Sequence, residues 1–181
     1  LCLYGELKRK EGKKVEYPQV YKRSPEEARA VGETALFRES HKLNIACKKA
    51  IETAIRENFD GMHLKKECLN TVMEEYGPDR MDWVLANTVR HLEYDGRFSH
   101  SNKEWAGSFD IPGINPHGYD FGQDFKVGSH PAVLDGFISL MRREREAAKA
   151  QPEKPSIRGQ LAMQSVPAGK PAAKTNDREV R

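Results

Sequence analysis

The stretch that decides the fold is residues 34–58, which read TALFRESHKLNIACKKAIETAIREN. Apolar and small residues recur in it at steps of three and four, which is the spacing of one buried stripe along an α-helix. The stripe consists of Leu36, Leu43, Cys47, Ala50, Ile51, Ala54 and Ile55. Asp60-Gly61 supplies the turn that ends the pattern. We therefore predict one long amphipathic helix whose stripe faces a helical core.

Shorter helical patterns precede and follow this helix. Ser24, Pro25 and Glu27 predict a helix start, because the serine can cap, the proline suits the first helical position and the glutamate completes a capping box. Two further patterns occupy about 69–76 and 79–94 and end at turn residues. These elements predict a series of helices separated by turns.

The C-terminal third combines helices with one long loop. Ser101 and Glu104 match a second capping box and predict a short helix that begins at Ser101, and Pro131 opens a last helix. Residues 110–129 between them show no helical period but hold aromatic residues that suggest an ordered loop lying on the core. The fold class is therefore mainly α, a compact bundle of about five to six helices with a long ordered loop.

Composition divides the chain into three parts. Residues 1–23 form an N-terminal extension that is partly extended, residues 24–150 form the helical domain, and residues 151–181 form a tail rich in Pro, Ala and Lys. The tail has no aromatic residue and too little apolar area to offset its ordering entropy, so we predict that it is disordered. The chain begins with Leu1 rather than Met, and we expect it to be part of a longer multidomain chain.

Composition also predicts a cytoplasmic protein. Hydrophobic residues make up 38% and charged residues 31%, and the mean hydropathy is −0.77. No apolar run approaches the roughly 20 residues that span a bilayer, so no membrane contact is expected. Cys2, Cys47 and Cys68 form no C-x-x-C pair, which predicts free thiols in a reducing compartment rather than disulfides or a zinc site.

The net charge of +3 belongs to the tail. Of the 30 Lys and Arg residues and the 27 Asp and Glu residues, six basic and three acidic ones fall in 151–181, which leaves 24 of each before it. A neutral body argues against a broad nucleic-acid footprint on the domain, although it is compatible with a local basic patch.

One candidate site is a second face of the helix near residue 79. Trp83, Asn87 and His91 follow one another at four-residue steps, away from the apolar stripe. An aromatic ring, an amide and an imidazole in a row suit a base, a peptide or a sugar. The alternative is structural, in which Trp83 packs on a neighbouring helix and Asn87 braces the backbone.

A second candidate site follows directly at 95–105. Asp95 and Arg97 predict either an ion pair that pins the turn or an arginine held ready for a phosphate or carboxylate. Asn102 and Trp105 add an amide and an aromatic ring close behind.

The long helix carries two polar rows. One is basic and could face phosphates, unless it is an ordinary solvated face with acidic neighbours. It consists of Arg38, Lys42, Lys49 and Arg56. The other row, Glu33, Ser40 and Asn44, would need partners if buried, and Arg97 is one candidate.

No catalytic or metal motif is present in the sequence. His117, Asp120, Asp124 and His130 carry side chains that can bind metals, but their spacing matches no compact metal site. G-x-S-x-G, H-E-x-x-H and phosphate-cradling glycine loops are missing. We therefore predict no metal and no cofactor, and we assign no catalytic residue.

Several short stretches occur together in a characteristic order over about 17–145. They are 37–40 (FRES), 44–47 (NIAC), 59–62 (FDGM), 84–88 (VLANT) and 95–99 (DGRFS), followed by Asn102, Trp105-Ala106, His130-Pro131 and Gly136-Phe137. As an ordered set they resemble an uncharacterised bacterial family, domain of unknown function 3849. The resemblance singles out Arg38, Ser40, Asn44, Asn87, Asp95, Arg97, Asn102, Trp105 and His130.

What the resemblance implies is a context rather than an activity. Proteins of this family look like cargo of conjugative transposons and related mobile elements in gut bacteria, often joined to other domains by low-complexity linkers. No catalytic residue is carried over. The polar residues that the resemblance singles out could converge in one groove, or they could form a structural hydrogen-bond network.

Three functions remain open. The first is a non-catalytic binding module of a mobile-element accessory protein, with Trp83 or Trp105 on an exposed patch that contacts a protein or nucleic acid. The second is a nucleic-acid-binding domain acting in element transfer or anti-defence. It would place the basic row, Arg97 and the tail on phosphates, and a tryptophan would stack on bases.

The third function is a nuclease or small hydrolase. It requires that His91, Asp95 or His130 lies in a concave pocket, within hydrogen-bond reach of another residue of the set.

Overall fold

A computed structural model describes residues 16–115, 118 and 120–150 as six α-helices and one 3₁₀ turn. The helices are α1 (Pro25–Ala30), α2 (Thr34–Asn58), α3 (Glu67–Tyr76), α4 (Pro78–His91), α5 (His100–Gly107) and α6 (Pro131–Ala150), and the 3₁₀ turn is Phe121–Phe125. The described residues contain no β-strand, apart from one isolated bridge between Phe59 and Leu64. The predicted mainly α fold is confirmed, whereas the predicted disordered tail lies outside the described residues.

The chain divides into two units, Leu1–Arg145 and Glu146–Arg181. The first unit is described from Glu16 onward and contains the core. Of the second unit, the structure describes residues 146–150, the C-terminal end of α6. No helix within the described ranges combines the length and the apolar character needed to cross a membrane.

Helix α4 lies at the centre of the core. Eleven of its fourteen residues are buried, and α2, α3 and α5 pack against it. The face that carries Trp83 and His91 is therefore enclosed together with the apolar stripe. A helix that is buried all round has no solvent face to devote to a ligand. The core around it is completed by Cys47, Ile51, Leu69, Val72, Phe125, Leu134, Phe137 and Ile138.

The predicted stripe of α2 is buried in the middle and C-terminal parts of the helix. Cys47, Ile51, Ala54 and Ile55 are in the core, but Leu36 is 54% exposed. The first residue of α2 that the fold buries is Ser40, so the N-terminal turn extends beyond the core. The prediction for Leu36 was therefore wrong.

Two serine caps show how the helix starts are set. Ser24 Oγ accepts a hydrogen bond from the Glu27 backbone N–H, and the Glu27 carboxylate accepts one from the Ser24 backbone N–H, so the predicted capping box is confirmed. At α5 the cap is Ser99, which accepts from the backbone of Asn102. The predicted start at Ser101 was wrong, because Ser99 is held in place by Asp135 of α6.

Residues 16–23 form an extended segment that packs on the junction between α3 and α4. Gly77 makes the junction with a φ of +80°, and a Cβ at this residue would lie 2.6 Å from the Tyr17 ring. Only glycine combines this backbone conformation with so close an approach. The N-terminal segment therefore packs on the body at Tyr17.

The thiols of Cys47 and Cys68 are buried and free. Burial raises the pKa of Cys47 to about 12 and that of Cys68 to about 11. Both are therefore protonated at neutral pH and act as small apolar side chains.

Candidate functional site

The predicted polar residues do not converge in one groove. In the part of the chain that the structure describes, Asn44, Asn87 and Asn102 belong to three different hydrogen-bond groups, and Asp95 with Arg97 belongs to a fourth. Three of these groups connect secondary-structure elements in the interior, and the fourth lies at the surface.

The first group surrounds the buried guanidinium of Arg80. Arg80 is 2% exposed, and it donates to the backbone oxygen and hydroxyl of Ser40 and to Asn44 Oδ1, the last over 2.6 Å. It also donates to the backbone oxygens of Pro18 and Gln19. Of the polar row, Ser40 and Asn44 are buried, and their partner is Arg80 rather than Arg97. Glu33, the third member, is partly exposed and accepts from Tyr21 and Arg23. Arg80 ties α4 to α2 and to the N-terminal segment.

The second group holds the long loop on α4. Asn87 Nδ2 donates to the backbone oxygen of Gly122 over 2.9 Å, and His91 Nε2 lies 2.9 Å from Asp120 Oδ2. A Cβ at Gly122 would lie 2.4 Å from Asn87 Oδ1, so the loop backbone approaches as closely as glycine allows. Trp83, in the same row, is 3% exposed and packs in the core.

The His91 ring is held at both of its nitrogens. Its Nδ1 lies 2.8 Å from the backbone oxygen of Asn87, and its Nε2 lies against the Asp120 carboxylate. Each ring nitrogen therefore faces a hydrogen-bond acceptor. Burial opposes the charge of Asp120, but hydrogen bonds from the Asn115 backbone and from His91 outweigh it, so the pKa of Asp120 lies below its ordinary value.

The third group joins α5 to α6. Asn102 Nδ2 donates to Asp135 Oδ1 over 2.7 Å and to Ser139 Oγ over 3.0 Å, and its Oδ1 accepts from Arg142. The Arg142 guanidinium also lies 5.9 Å from the centre of the half-buried Trp105 ring. Asn102 and Trp105 of α5 thus contact side chains of α6 and hold the two helices together.

The fourth group is exposed and consists of Asp95, Arg97 and His130. Arg97 donates from Nε and Nη2 to the two Asp95 oxygens over 2.9 and 2.6 Å. Its Nη1 lies 3.3 Å from His130 Nε2. The side chain of Arg97 is 54% exposed, whereas that of Asp95 is 12% exposed. Asp95 thus binds the edge of the guanidinium that carries Nε and Nη2, and the Nη1 group is left to face His130.

His130 lines a surface cleft of about 520 Å³, which we call the His130 cleft. Its walls come from the C-terminal half of α2, residues 128–130 and the first turn of α6. They are Glu52, Ile55, Arg56, Phe59, Gly128, Ser129, His130 and Val133. Glu52 accepts from the Gly128 backbone over 2.6 Å and lies 4.0 Å from Lys48. The enzyme hypothesis requires a residue of the set that lies in a concave pocket within hydrogen-bond reach of another one. His130 fulfils this condition, but the residue that it reaches is Arg97, which occupies its Nε2.

The basic row of α2 forms a ridge on the outer side of the helix, which we call the α2 ridge. Its members, all exposed, are Arg38, Lys42, Lys49 and Arg56. Glu39 and Glu57 lie close by in sequence, but none of the four cations is within 4.0 Å of a carboxylate of another described residue. Arg56 belongs both to the ridge and to the His130 cleft.

The loop residues with metal-binding side chains have other partners. Asp120 contacts His91, Asp124 contacts His41, and His130 contacts Arg97. His117 lies outside the described residues. Over the ranges that are described, no group of three or more His, Cys, Asp or Glu side chains is arranged to hold a metal ion.

Sequence reasoning missed the partners that complete these groups. They are Arg80, Asp120 in its contact with His91, Asp135 and Arg142. One signal was available for Arg80, which stands four residues before Val84 and therefore on a core-facing side of α4.

Fold and site together define a small α-helical domain in which buried polar networks fasten the loops and the surface carries a basic ridge beside a cleft. The chain belongs to the family described as Protein of unknown function (DUF3849), whose profile matches residues 20–146. No curated protein and no solved structure matches the chain.

Proposed function

We propose that the domain is a non-catalytic binding module that contacts the phosphate backbone of a nucleic acid through the α2 ridge. The observation that carries the proposal is the row of four exposed cations, none of which is paired with a described carboxylate. The row spans 18 residues, or about 27 Å at the helical rise of 1.5 Å per residue. That length suits several successive phosphates along one groove edge.

Burial of the polar groups supports a binding role over a catalytic one. His91 has no solvent exposure in its side chain and both of its ring nitrogens are hydrogen-bonded. Asp95 is held by Arg97. These side chains are occupied in fixing the structure, so they are poorly placed to exchange protons with a substrate.

Contact with a protein is the second candidate. It is favoured by Val31 and Leu36, which are 53% and 54% exposed although they are apolar and only five residues apart in sequence. Neither tryptophan supports it strongly, since Trp83 is buried and Trp105 is half-buried. The resemblance to mobile-element cargo supports placing the module in an accessory protein of such an element, and the neighbouring genes of homologous loci test that context.

The test is binding of the full 181-residue chain to labelled duplex DNA, single-stranded DNA and RNA across a salt series. Four phosphate contacts on duplex DNA predict that log K falls with log salt with a slope of about −3.6. The ridge variant replaces Arg38, Lys42, Lys49 and Arg56 by Gln. The matched control replaces four exposed cations elsewhere, Lys22, Arg29, Lys65 and Arg143, by Gln.

The expected result is loss of binding and of most of the salt slope in the ridge variant alone. Equal loss in both variants would assign binding to overall charge or to the basic tail and would contradict the proposal. Cleavage of the probe during the assay would support the nuclease alternative instead.

A further inference from the structure

We propose that the His130 cleft binds a phosphate monoester between Arg56, Arg97 and His130, and that this phosphate is the terminal phosphate of a nucleic-acid strand. The inference rests on the proposed function for the source of the phosphate. The cleft can also be tested without a nucleic acid, by adding inorganic phosphate.

Arg97 is pre-organised for an anion. Asp95 binds its Nε and Nη2, and the Asp95 side chain is itself mostly buried. An arginine that is already held loses less side-chain entropy when it binds a ligand than a free one does. Arg97 does not itself line the cleft, but its Nη1 lies 3.3 Å from Nε2 of His130, which does.

The contact between Arg97 and His130 brings two side chains that can donate to a phosphate next to each other. A guanidinium has no acceptor, so Arg97 Nη1 donates towards His130 Nε2. A phosphate placed between the two side chains would accept from the arginine, and from the imidazole when Nε2 carries a proton.

Arg56 supplies the charge on the α2 wall of the cleft. It is exposed and lies within 4.0 Å of no carboxylate of a described residue, and the Ser129 hydroxyl lies on the adjoining segment. The one carboxylate in the wall, Glu52, accepts from the Gly128 backbone and lies near Lys48. With Asp95 committed to Arg97, the groups left for a ligand are cationic donors.

The position of the cleft favours the end of a strand over its interior. Arg56 is the last cation of the α2 ridge and also part of the cleft wall. A backbone that follows the ridge would therefore bring its terminal group to the cleft. Two arginines and a protonated histidine match the charge of a dianionic monoester better than that of a singly charged diester.

The experiment follows the His130 imidazole of the full chain by NMR, with the resonance identified by its loss in His130→Gln. The additions are inorganic phosphate, and one oligonucleotide prepared with a 5′-phosphate or with a 5′-hydroxyl. We expect inorganic phosphate and the 5′-phosphorylated strand each to shift the resonance. We also expect the 5′-phosphate form to bind at least tenfold more tightly than the 5′-hydroxyl form, a difference of about 1.4 kcal/mol.

Two variants separate this site from general charge. Arg97→Gln should remove the preference for the 5′-phosphate and the shift at His130, while Arg143→Gln, which removes an exposed arginine of α6 outside the cleft, should leave both unchanged. An unmoved His130 resonance with inorganic phosphate and with the phosphorylated strand overturns the site.

Failure of the site and failure of the proposed function give different results. If phosphate shifts His130 but the two oligonucleotides bind equally, the cleft takes a free small phosphate and the strand-end source is overturned. If the ridge variant loses nucleic-acid binding and inorganic phosphate shifts His130 in the parent chain, the α2 ridge and the cleft are both supported. Because the ridge variant also removes Arg56 from the cleft wall, the phosphate shift is measured in the parent chain and in Arg97→Gln. If the ridge variant and its four-cation control both bind DNA as tightly as the parent chain, but phosphate shifts His130, the proposed function alone is overturned.

Discussion

His91 Nε2 lies 2.9 Å from Asp120 Oδ2, and the two side chains are 0% and 10% exposed. This buried contact joins α4 to the long loop, and Asp120 also accepts from the backbones of Asn115 and Gly122 within the loop. The loop is therefore a structural part of the core rather than a cover over an empty groove.

Replacing Asp120 by Asn should lower the free energy of unfolding by about 3 kcal/mol, since it removes the carboxylate that the buried His91 ring contacts. The measurement is urea unfolding at neutral pH. The matched control is Asp79→Asn on α4, the helix that carries His91; the Asp79 side chain is 90% exposed and 3.6 Å from Arg145. That change should cost less than about 1 kcal/mol, as for other exposed pairs.

The same pair gives a pH dependence with a defined sign. The pKa of Asp120 is lower in the folded protein than in the unfolded chain. Its stabilising contribution is therefore present above the unfolded value of about 3.9 and is lost as the pH falls through the folded pKa. If Asp120→Asn and the parent chain lose stability identically on acidification, the pair makes no such contribution.

Gly122 and Gly136 should respond to alanine with opposite signs. A Cβ at Gly122 would lie 2.4 Å from Asn87 Oδ1 and 2.7 Å from His91 Cε1, so Gly122→Ala should destabilise by about 1–3 kcal/mol through overpacking. Gly136 lies exposed within α6 with nothing within 4 Å of its Cβ position. Gly136→Ala should stabilise by about 1 kcal/mol through helix propensity. Thermal unfolding of the two variants measures both, and a Gly122→Ala variant as stable as the parent chain would contradict the close loop approach.

Arg80→Lys should be costly although it keeps the charge. The guanidinium makes five hydrogen bonds to α2 and the N-terminal segment. An ammonium has three donors and no fork, so buried acceptors are left unpaired and the expected loss is about 3 kcal/mol. Arg38→Lys, at an exposed position of α2, is the control and should change little.

Arg80→Lys should also loosen the segment that carries Pro18 and Gln19. Trypsin should then cut after Lys22 or Arg23 faster than in the parent chain under native conditions, because local opening controls such cleavage. An unchanged cutting rate at these two residues would show that the segment is held by Tyr17 and Tyr21 rather than by Arg80.

The fold could be predicted because its helices are strongly periodic. The pattern at 34–58 coincides with α2, and the box at Ser24 and Glu27 starts α1 as expected. The start of α5 could not be found in this way, because the choice of Ser99 over Ser101 depends on Asp135, which is more than thirty residues away.

The candidate site was predicted less well, for a related reason. Charged residues are usually assigned to the surface, and Arg80 is an exception because five acceptors from two other segments surround it. Trp83, Asn87 and His91 were correctly placed on one face of α4. Whether that face meets solvent or a loop depends on Asp120 and Gly122, whose approach has no local pattern in the sequence.

The surface pair of Asp95 and Arg97 gives a last prediction, which bears on the accessibility of the arginine. Hydrogen bonds from the side chain and the backbone of Arg97 hold the pKa of Asp95 at about 2. Carbon-detected NMR of the carboxyl should find this value in the parent chain, and Arg97→Gln should move it towards the ordinary 3.8. Asp60 is the internal control: the pKa of its carboxyl is lowered by the backbones of His63 and Met62, so Arg97→Gln should not affect it.

The sign of the effect on stability follows from the direction of the Asp95 shift. A folded pKa below the unfolded one means that the pair stabilises the fold above the unfolded value and that this contribution disappears as the pH falls through about 2. Arg97 should therefore remain fixed at every pH at which the His130 cleft can bind a phosphate dianion. An Asp95 carboxyl that titrates near 3.8 in the parent chain would mean that Arg97 is free in solution, and the entropic advantage argued for the cleft would then be lost.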